Sequence, residues 1–326
     1  MFLSRRKFLG ALAASHALIL TGARHRSTRA QAITDRGAPV ITNYNATGRA
    51  AVVEGKTLLI ELSFSSEVEI LSGSLPVPIQ PESVGGQQLI EPQQLYFYPT
   101  GGRSRYRTIL SAPLDSVVGS YNLRIRARAA AGQVNEWTFP YFIERGLYRS
   151  TSLMLDENFS SPPPEIAERM RRDFETDVEI FKRVTPRKWT MPFTRPVAGR
   201  DNDHFGVRRT VNGTKRYRHI GLDFRAPLGT PVQAVNDGTV VLSTEQWTPG
   251  QSIIIDHGGS IFSKYNHLSE RRVQVGQNVT RGQVIALSGR SGGQNAPPHL
   301  HLDIIINRTP VDPKDFMRTA AQLLSV

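Results

Sequence analysis

The strongest constraint on this chain is the period of its apolar residues. Tyr121-Asn122-Leu123-Arg124-Ile125-Arg126-Ala127-Arg128 alternates apolar and polar without a fault. A period of two with one apolar face is the mark of a half-buried antiparallel strand. Leu58–Phe64 and Leu95–Tyr98 are further short runs of strand-forming residues. Gly73, Pro76, Gly101-Gly102, Pro113 and Gly119 space these runs as the turns of a β-sandwich would. Residues from about 36 to 146 are therefore predicted as short strands in two packed sheets. Arg124, Arg126 and Arg128 then share one face, read here as solvated. No histidine falls in this region, so no histidine-based site can lie within it.

The period changes after Pro162-Pro163-Pro164. Ile166, Met170, Phe174, Val178 and Phe181 recur at helical spacing behind proline and the acidic Glu165, a favourable helix start. Pro186, Pro192 and Pro196 end that pattern. One amphipathic helix in a connector is expected, its apolar stripe used for packing. From about 193 to 316 the chain reads as β-rich again.

Charge first suggests a different partner than the rest of the chain does. The 326 residues carry 40 Lys and Arg against 28 Asp and Glu, a net +12. Six of the basic residues (Arg5, Arg6, Lys7, Arg24, Arg26, Arg29) lie in residues 1–32, which contain no acid, so +6 remains beyond them. Those residues have the three regions of an export signal: Ser4-Arg5-Arg6-Lys7-Phe8-Leu9, an apolar stretch Phe8–Ala23, and the small-x-small sequence Ala30-Gln31-Ala32. The Arg5-Arg6 pair resembles the twin-arginine signal of bacteria. The apolar stretch is 16 residues, short of the roughly 20 that span a bilayer. Export to the periplasm or cell envelope is expected, with no stable membrane span and no nucleic acid partner.

Chemistry concentrates in the C-terminal half. All six histidines beyond residue 32 lie in residues 204–301. The chain has no cysteine, so a metal would be held by histidine and carboxylate. In Tyr217-Arg218-His219-Ile220-Gly221-Leu222-Asp223-Phe224, an extended backbone turns positions 219, 221 and 223 to one side. His219 and Asp223 would then flank a gap at Gly221 open to a cation. In Pro298-His299-Leu300-His301-Leu302-Asp303, His299 and His301 share a face, and His267 sits in Tyr265-Asn266-His267-Leu268. Two imidazoles and one carboxylate, with water, make an open catalytic zinc site.

The order of these motifs is more specific than any one of them. His219-x-Gly-x-Asp223 is followed by Gly229-Thr-Pro-Val, Asp237-Gly238, Asp256-His257-Gly258, Tyr265-x-His267-Leu268, Val275-Gly276-Gln277 and His299-Leu300-His301. This series resembles the lysostaphin/LytM-type zinc metallopeptidases, over about Phe205 to Phe316. The resemblance implies that His219, Asp223 and His301 bind Zn2+, and that His267 and His299 line the catalytic centre without holding the metal. It implies peptide-bond hydrolysis in peptidoglycan, and leaves room for a regulator protein in the envelope. The alternative is a non-catalytic envelope protein that binds peptidoglycan or activates a cell-wall amidase; the intact ligand set argues against it. One departure is Gln294-Asn295-Ala296-Pro297-Pro298, where relatives carry a Thr/Ser-Gly type sequence.

Three other residues are read as non-ligands. His257 is expected to be structural and His204 to lie on the surface. Asp303 is read either as an orienting partner of a ligand or as a solvated carboxylate. Val275–Ala286 resembles a biotinyl or lipoyl hairpin but has no lysine at its centre. The expected architecture is mainly β: a signal over 1–32, an immunoglobulin-like sandwich over 33–150, a helical linker over 151–192 and an antiparallel β peptidase domain of the LytM type over 193–326.

Overall fold

The structure, a computed structural model, describes residues 41–46, 50–76, 92–154, 161–213, 215–292 and 297–324. Residues 1–32, read above as an export signal, and positions 294–296 of the departing loop lie outside them.

The first set of alternating runs becomes nine strands: β1 (Ile41–Ala46), β2 (Ala51–Val53), β3 (Thr57–Phe64), β4 (Val68–Leu75), β5 (Gln93–Gln94), β6 (Tyr98–Pro99), β7 (Arg105–Ser111), β8 (Gly119–Ala129) and β9 (Val134–Glu144). They form two sheets, ordered β1-β3-β7-β6 and β2-β9-β8-β4-β5. Leu58, Ile60 and Leu62 from one sheet pack on Leu123, Ile125 and Phe139 from the other. Phe64 and Trp137 meet edge-on between the sheets, 5.4 Å apart. The alternation of β8 survives folding, with Leu123, Ile125 and Ala127 buried and the three intervening arginines exposed. Arg128 pairs with Glu69 at 2.8 Å and Arg126 with Glu136 at 3.9 Å across neighbouring strands. That face is a solvated one laced with cross-strand ion pairs.

β3 behaves differently. Leu59 points away from the sandwich core and is nevertheless buried. It joins Ile109 of β7 in a cluster with Trp189, Phe193 and Phe316 from the C-terminal half. The two halves of the chain therefore share one apolar core.

Next come β10 (Ser150–Leu153) and the expected helix, α1 (Pro164–Phe181), with Pro164 at its start and Glu165 in its first turn. The stripe expected to pack along the whole helix does so at its C-terminal end only. Ile180 is buried, and the Phe181 ring lies 5.4 Å from that of Phe262. Phe174 stays 42% exposed.

The remaining strands are β11 (Asp201–Asp203), β12 (Arg208–Val211), β13 (Lys215–Arg218), β14 (Leu222–Phe224), β15 (Pro231–Gln233), β16 (Gly238–Gln246), β17 (Gly250–Gly258), β18 (Ile261–Arg271), β19 (Asn278–Val279), β20 (Val284–Ser288), β21 (Leu300–Ile306) and β22 (Thr309–Val311), closed by helix α2 (Pro313–Leu324). Ten of them form one sheet, whose main path runs β11-β14-β21-β18-β17-β16-β19. β10 pairs in parallel with β12, which pairs with β13. β17 and β18 are buried on both faces: Ile253, Ile255 and Tyr265 face the large core, whereas Ile254 and Phe262 face Ile180 of α1.

Polar contacts tie the sandwich to this sheet. Thr57 donates from its backbone N and from Oγ1 to Asp315 Oδ2 of α2, both at 2.8 Å. Asn307 Nδ2 donates to the Ile109 carbonyl at 3.2 Å. Arg218 Nε reaches both oxygens of Asp115, at 2.8 and 3.0 Å.

Candidate metal centre

Strand pairing brings the predicted ligands together. In the β14–β21 register Asp223 lies opposite His301, and in the β18–β21 register Asn266 does. His219 stands in the bend between β13 and β14. His219 Nε2 is 3.1 Å from Asp223 Oδ1 and 3.1 Å from His301 Nδ1, and His301 Nδ1 is 2.8 Å from Asp223 Oδ1. Metal bonds of about 2.0–2.1 Å in a tetrahedron put ligand atoms roughly 3.3 Å apart. The observed triangle is close to that spacing, and among the described residues it is the His/Asp group of metal-binding geometry.

Backbone and carboxylate partners fix which nitrogen each ligand presents. A carbonyl can only accept, so His219 Nδ1 donates to the His204 carbonyl at 2.8 Å, and Nε2 is left with its lone pair toward the centre. His301 donates from Nε2 to Asp303 Oδ1 at 2.6 Å, leaving Nδ1 for the metal. Asp303 is buried rather than solvated and also accepts from Asn266 Nδ2 at 3.1 Å. It orients a ligand, in the manner by which carboxylates fix metal-bound imidazoles. His204, expected on the surface, is exposed, yet its carbonyl has this orienting role.

Gly221 serves a purpose other than the one its spacing suggested. A Cβ there would collide with His301 Nε2 and lie 2.5 Å from Asp303 Oδ1. The missing side chain makes room for the His301–Asp303 pair, not for the cation itself.

Burial and charge act in opposite directions on these groups. Burial opposes ionisation of Asp223, but hydrogen bonds to His219 and His301 hold its carboxyl well below the usual range. Burial would lower His301, yet Asp303 and Asp223 push its imidazole up to about 10. The negative charges that attract a proton there also attract a cation.

The two remaining histidines line the same cleft of about 350 Å³. His299 Nδ1 donates to the Pro297 carbonyl at 2.8 Å, and Nε2 lies 3.9 Å from Asp223 Oδ1. His267 Nδ1 donates to the Ser291 carbonyl at 2.9 Å. Its ring centroid is 4.7 Å from that of His299. His267 has a left-handed backbone, φ 61°, at a bulge where β18 carries an extra residue against β17. A bulge re-aims a side chain, and such strain at a non-glycine residue clusters at functional sites. Burial, with the neighbouring His301 and His299, lowers the pKa of His267 to about 3. His257 stands apart, bridging the Asp237 carbonyl and Ser263 Oγ at 2.7 Å each, as a structural residue.

Sequence reasoning left three cleft residues without a role. Asn266 supports Asp303; its signal was its place inside the Tyr265-x-His267 motif. Arg209 Nη2 approaches the outer oxygen of Asp223, Oδ2, at 3.5 Å. Lys264 pairs with Asp177 of α1, a contact between distant elements that no local pattern announces.

His219, Asp223 and His301 thus form a triangle of metal-binding spacing, with the His267 and His299 rings lining the same cleft. Residues 217–313 match the model of peptidase family M23. Peptidoglycan DD-endopeptidase ShyA of Vibrio cholerae is 41% identical over 114 residues, 35% of this chain and 26% of the relative. Peptidoglycan DD-endopeptidase ShyC of the same organism is 34% identical over 185 residues, 56% and 38% of the two chains. The chain thus spans between about a quarter and two fifths of the length of these relatives. A crystal structure of a putative peptidase M23 from Pseudomonas aeruginosa matches 82% of this chain and 95% of its own with a TM-score of 0.57 at 24% identity. That coverage extends the shared fold beyond the peptidase segment.

Proposed function

We propose that the protein is an exported zinc metalloendopeptidase that hydrolyses peptide cross-links of peptidoglycan. The observation that carries this reading is the ligand triangle of His219, Asp223 and His301, with the His267 and His299 rings on the same cleft. The names of the matched relatives, peptidoglycan DD-endopeptidases, support the substrate class. The donor set, two imidazole nitrogens and one carboxylate, suits zinc with a position left for water.

His219, Asp223 and His301 would hold the zinc, which would supply a Lewis acid and lower the pKa of water to about 7. The chain supplies the rest. Asp303 keeps the proton of His301 on Nε2, so Nδ1 stays available as a ligand. Burial favours the neutral form of His267, which, with Nδ1 committed to the Ser291 carbonyl, presents Nε2 as a proton acceptor. His299 presents Nε2 beside the ligand set in the same tautomer. There it accepts a proton and, once charged, stabilises negative charge developing on the carbonyl oxygen.

The test is incubation of the protein with purified peptidoglycan and zinc, followed by mass spectrometry of the muropeptides. New amino termini are expected with wild type and none with His301→Ala. Absence of cleavage by zinc-loaded wild type sinks the proposal.

A further inference from the structure

α1 lies outside the segment that matches the peptidase family, yet it forms one wall of the metal cleft. Met170 and Phe174 line the same cavity as His219, His299 and His301. Ile220, next to a metal ligand, is a third apolar lining residue. Phe174 and Ile220 are each 42% exposed. We propose that Met170, Phe174 and Ile220 form an apolar subsite that holds the aliphatic part of the peptide substrate beside the scissile bond. The inference rests on the peptidase reading of the site.

The helix is anchored without these side chains. Asp173 Oδ2 accepts from the Trp247 backbone N at 2.7 Å. Asp177 Oδ1 accepts from Gln246 Nε2 at 2.9 Å, and Asp177 also pairs with Lys264. The Phe181 ring packs on Phe262. Asp173, Asp177 and Phe181 thus fix α1 to the rim, while Met170 and Phe174 remain on the cleft wall. Apolar surface held in water is unfavourable in proportion to its area; covering it favours whatever enters. Binding sites combine such walls with a few placed polar groups. A concave space of about 350 Å³ with a metal centre on its floor suits a strand of peptide.

The experiment uses the full chain and purified cross-linked muropeptide dimers. Phe174→Ala should raise KM about tenfold with kcat within about twofold, because it removes binding felt equally by substrate and transition state. Met170→Ala should act in the same direction, and Phe174→Leu should restore most of the loss. Equilibrium binding of the same dimer to chelator-treated protein should weaken by the same factor, a reading independent of turnover. Unchanged KM and binding in both alanine variants overturns the inference. So does a fall in kcat alone, or a loss of self-association in sedimentation, which would give the face to a second copy. If wild type fails to cleave, the peptidase reading falls, whereas the binding measurement still decides the subsite.

Discussion

Asp303→Asn changes one atom in a buried carboxylate and tests how the metal centre is held. In the wild type each oxygen of Asp303 has its own donor: His301 Nε2 at 2.6 Å on Oδ1 and Asn266 Nδ2 at 3.1 Å on Oδ2. An amide has one acceptor oxygen, so one of these buried donors loses its partner, at about 1–3 kcal/mol. The imidazole of His301 also loses the adjacent charge that, with Asp223, pushes it up to about 10, and becomes a poorer ligand. Loss of an orienting carboxylate of this kind weakens metal binding about 10- to 100-fold, or roughly 1.4–2.7 kcal/mol. The assay is competition for zinc against a chromogenic chelator at fixed pH, with circular dichroism to verify the fold. A folded variant whose zinc dissociation constant stays within about twofold of wild type would refute the assignment of Asp303 as the partner that orients His301.

Three further outcomes are expected. Gly221→Ala drives a Cβ into His301 and Asp303, so the variant should lose stoichiometric zinc by elemental analysis. His257 has its pKa lowered by burial to about 4 against an ordinary 6.5, so the unfolded chain binds its proton first. Stability is complete above pH 6.5 and falls by up to about 3 kcal/mol toward pH 4; urea unfolding should show a shallower fall between pH 7 and 4.5 in His257→Gln. Leu59→Ala opens a cavity in the core shared by both halves and should cost about 2–4 kcal/mol. Calorimetry should still show one transition rather than two.

Much of this architecture was legible because local pattern and burial agree. The alternation of Leu123, Ile125 and Ala127 reports one buried face, and the sandwich gives β8 one. The residues of the His219/Asp223/His301 triangle could be singled out because their order along the chain is specific. What stayed hidden depends on contacts between distant segments. Leu58-Leu59-Ile60 is apolar on both faces because Trp189 and Phe316 cover the second face of β3. Asp303 could be assigned a burial only once β21 was seated between β14 and β18. The left-handed backbone at His267 comes from a pairing irregularity with β17. The cleft-facing half of the α1 stripe reads as a packing surface until the helix is placed.

The shared core bears on how the chain can be assembled. Contacts such as Thr57 to Asp315 join residues 258 apart in sequence, and closing so long a loop is slow. Until α2 arrives, the cluster that Leu59 and Ile109 share with Trp189 and Phe193 lacks Phe316, Ala320 and Leu323. A fragment ending before α2 should therefore be sticky and need a holding chaperone, whereas the whole chain should not. Expressed alone, the sandwich would leave Leu59, Tyr98 and Ile109 without the cover that Trp189, Phe193 and Phe316 give them.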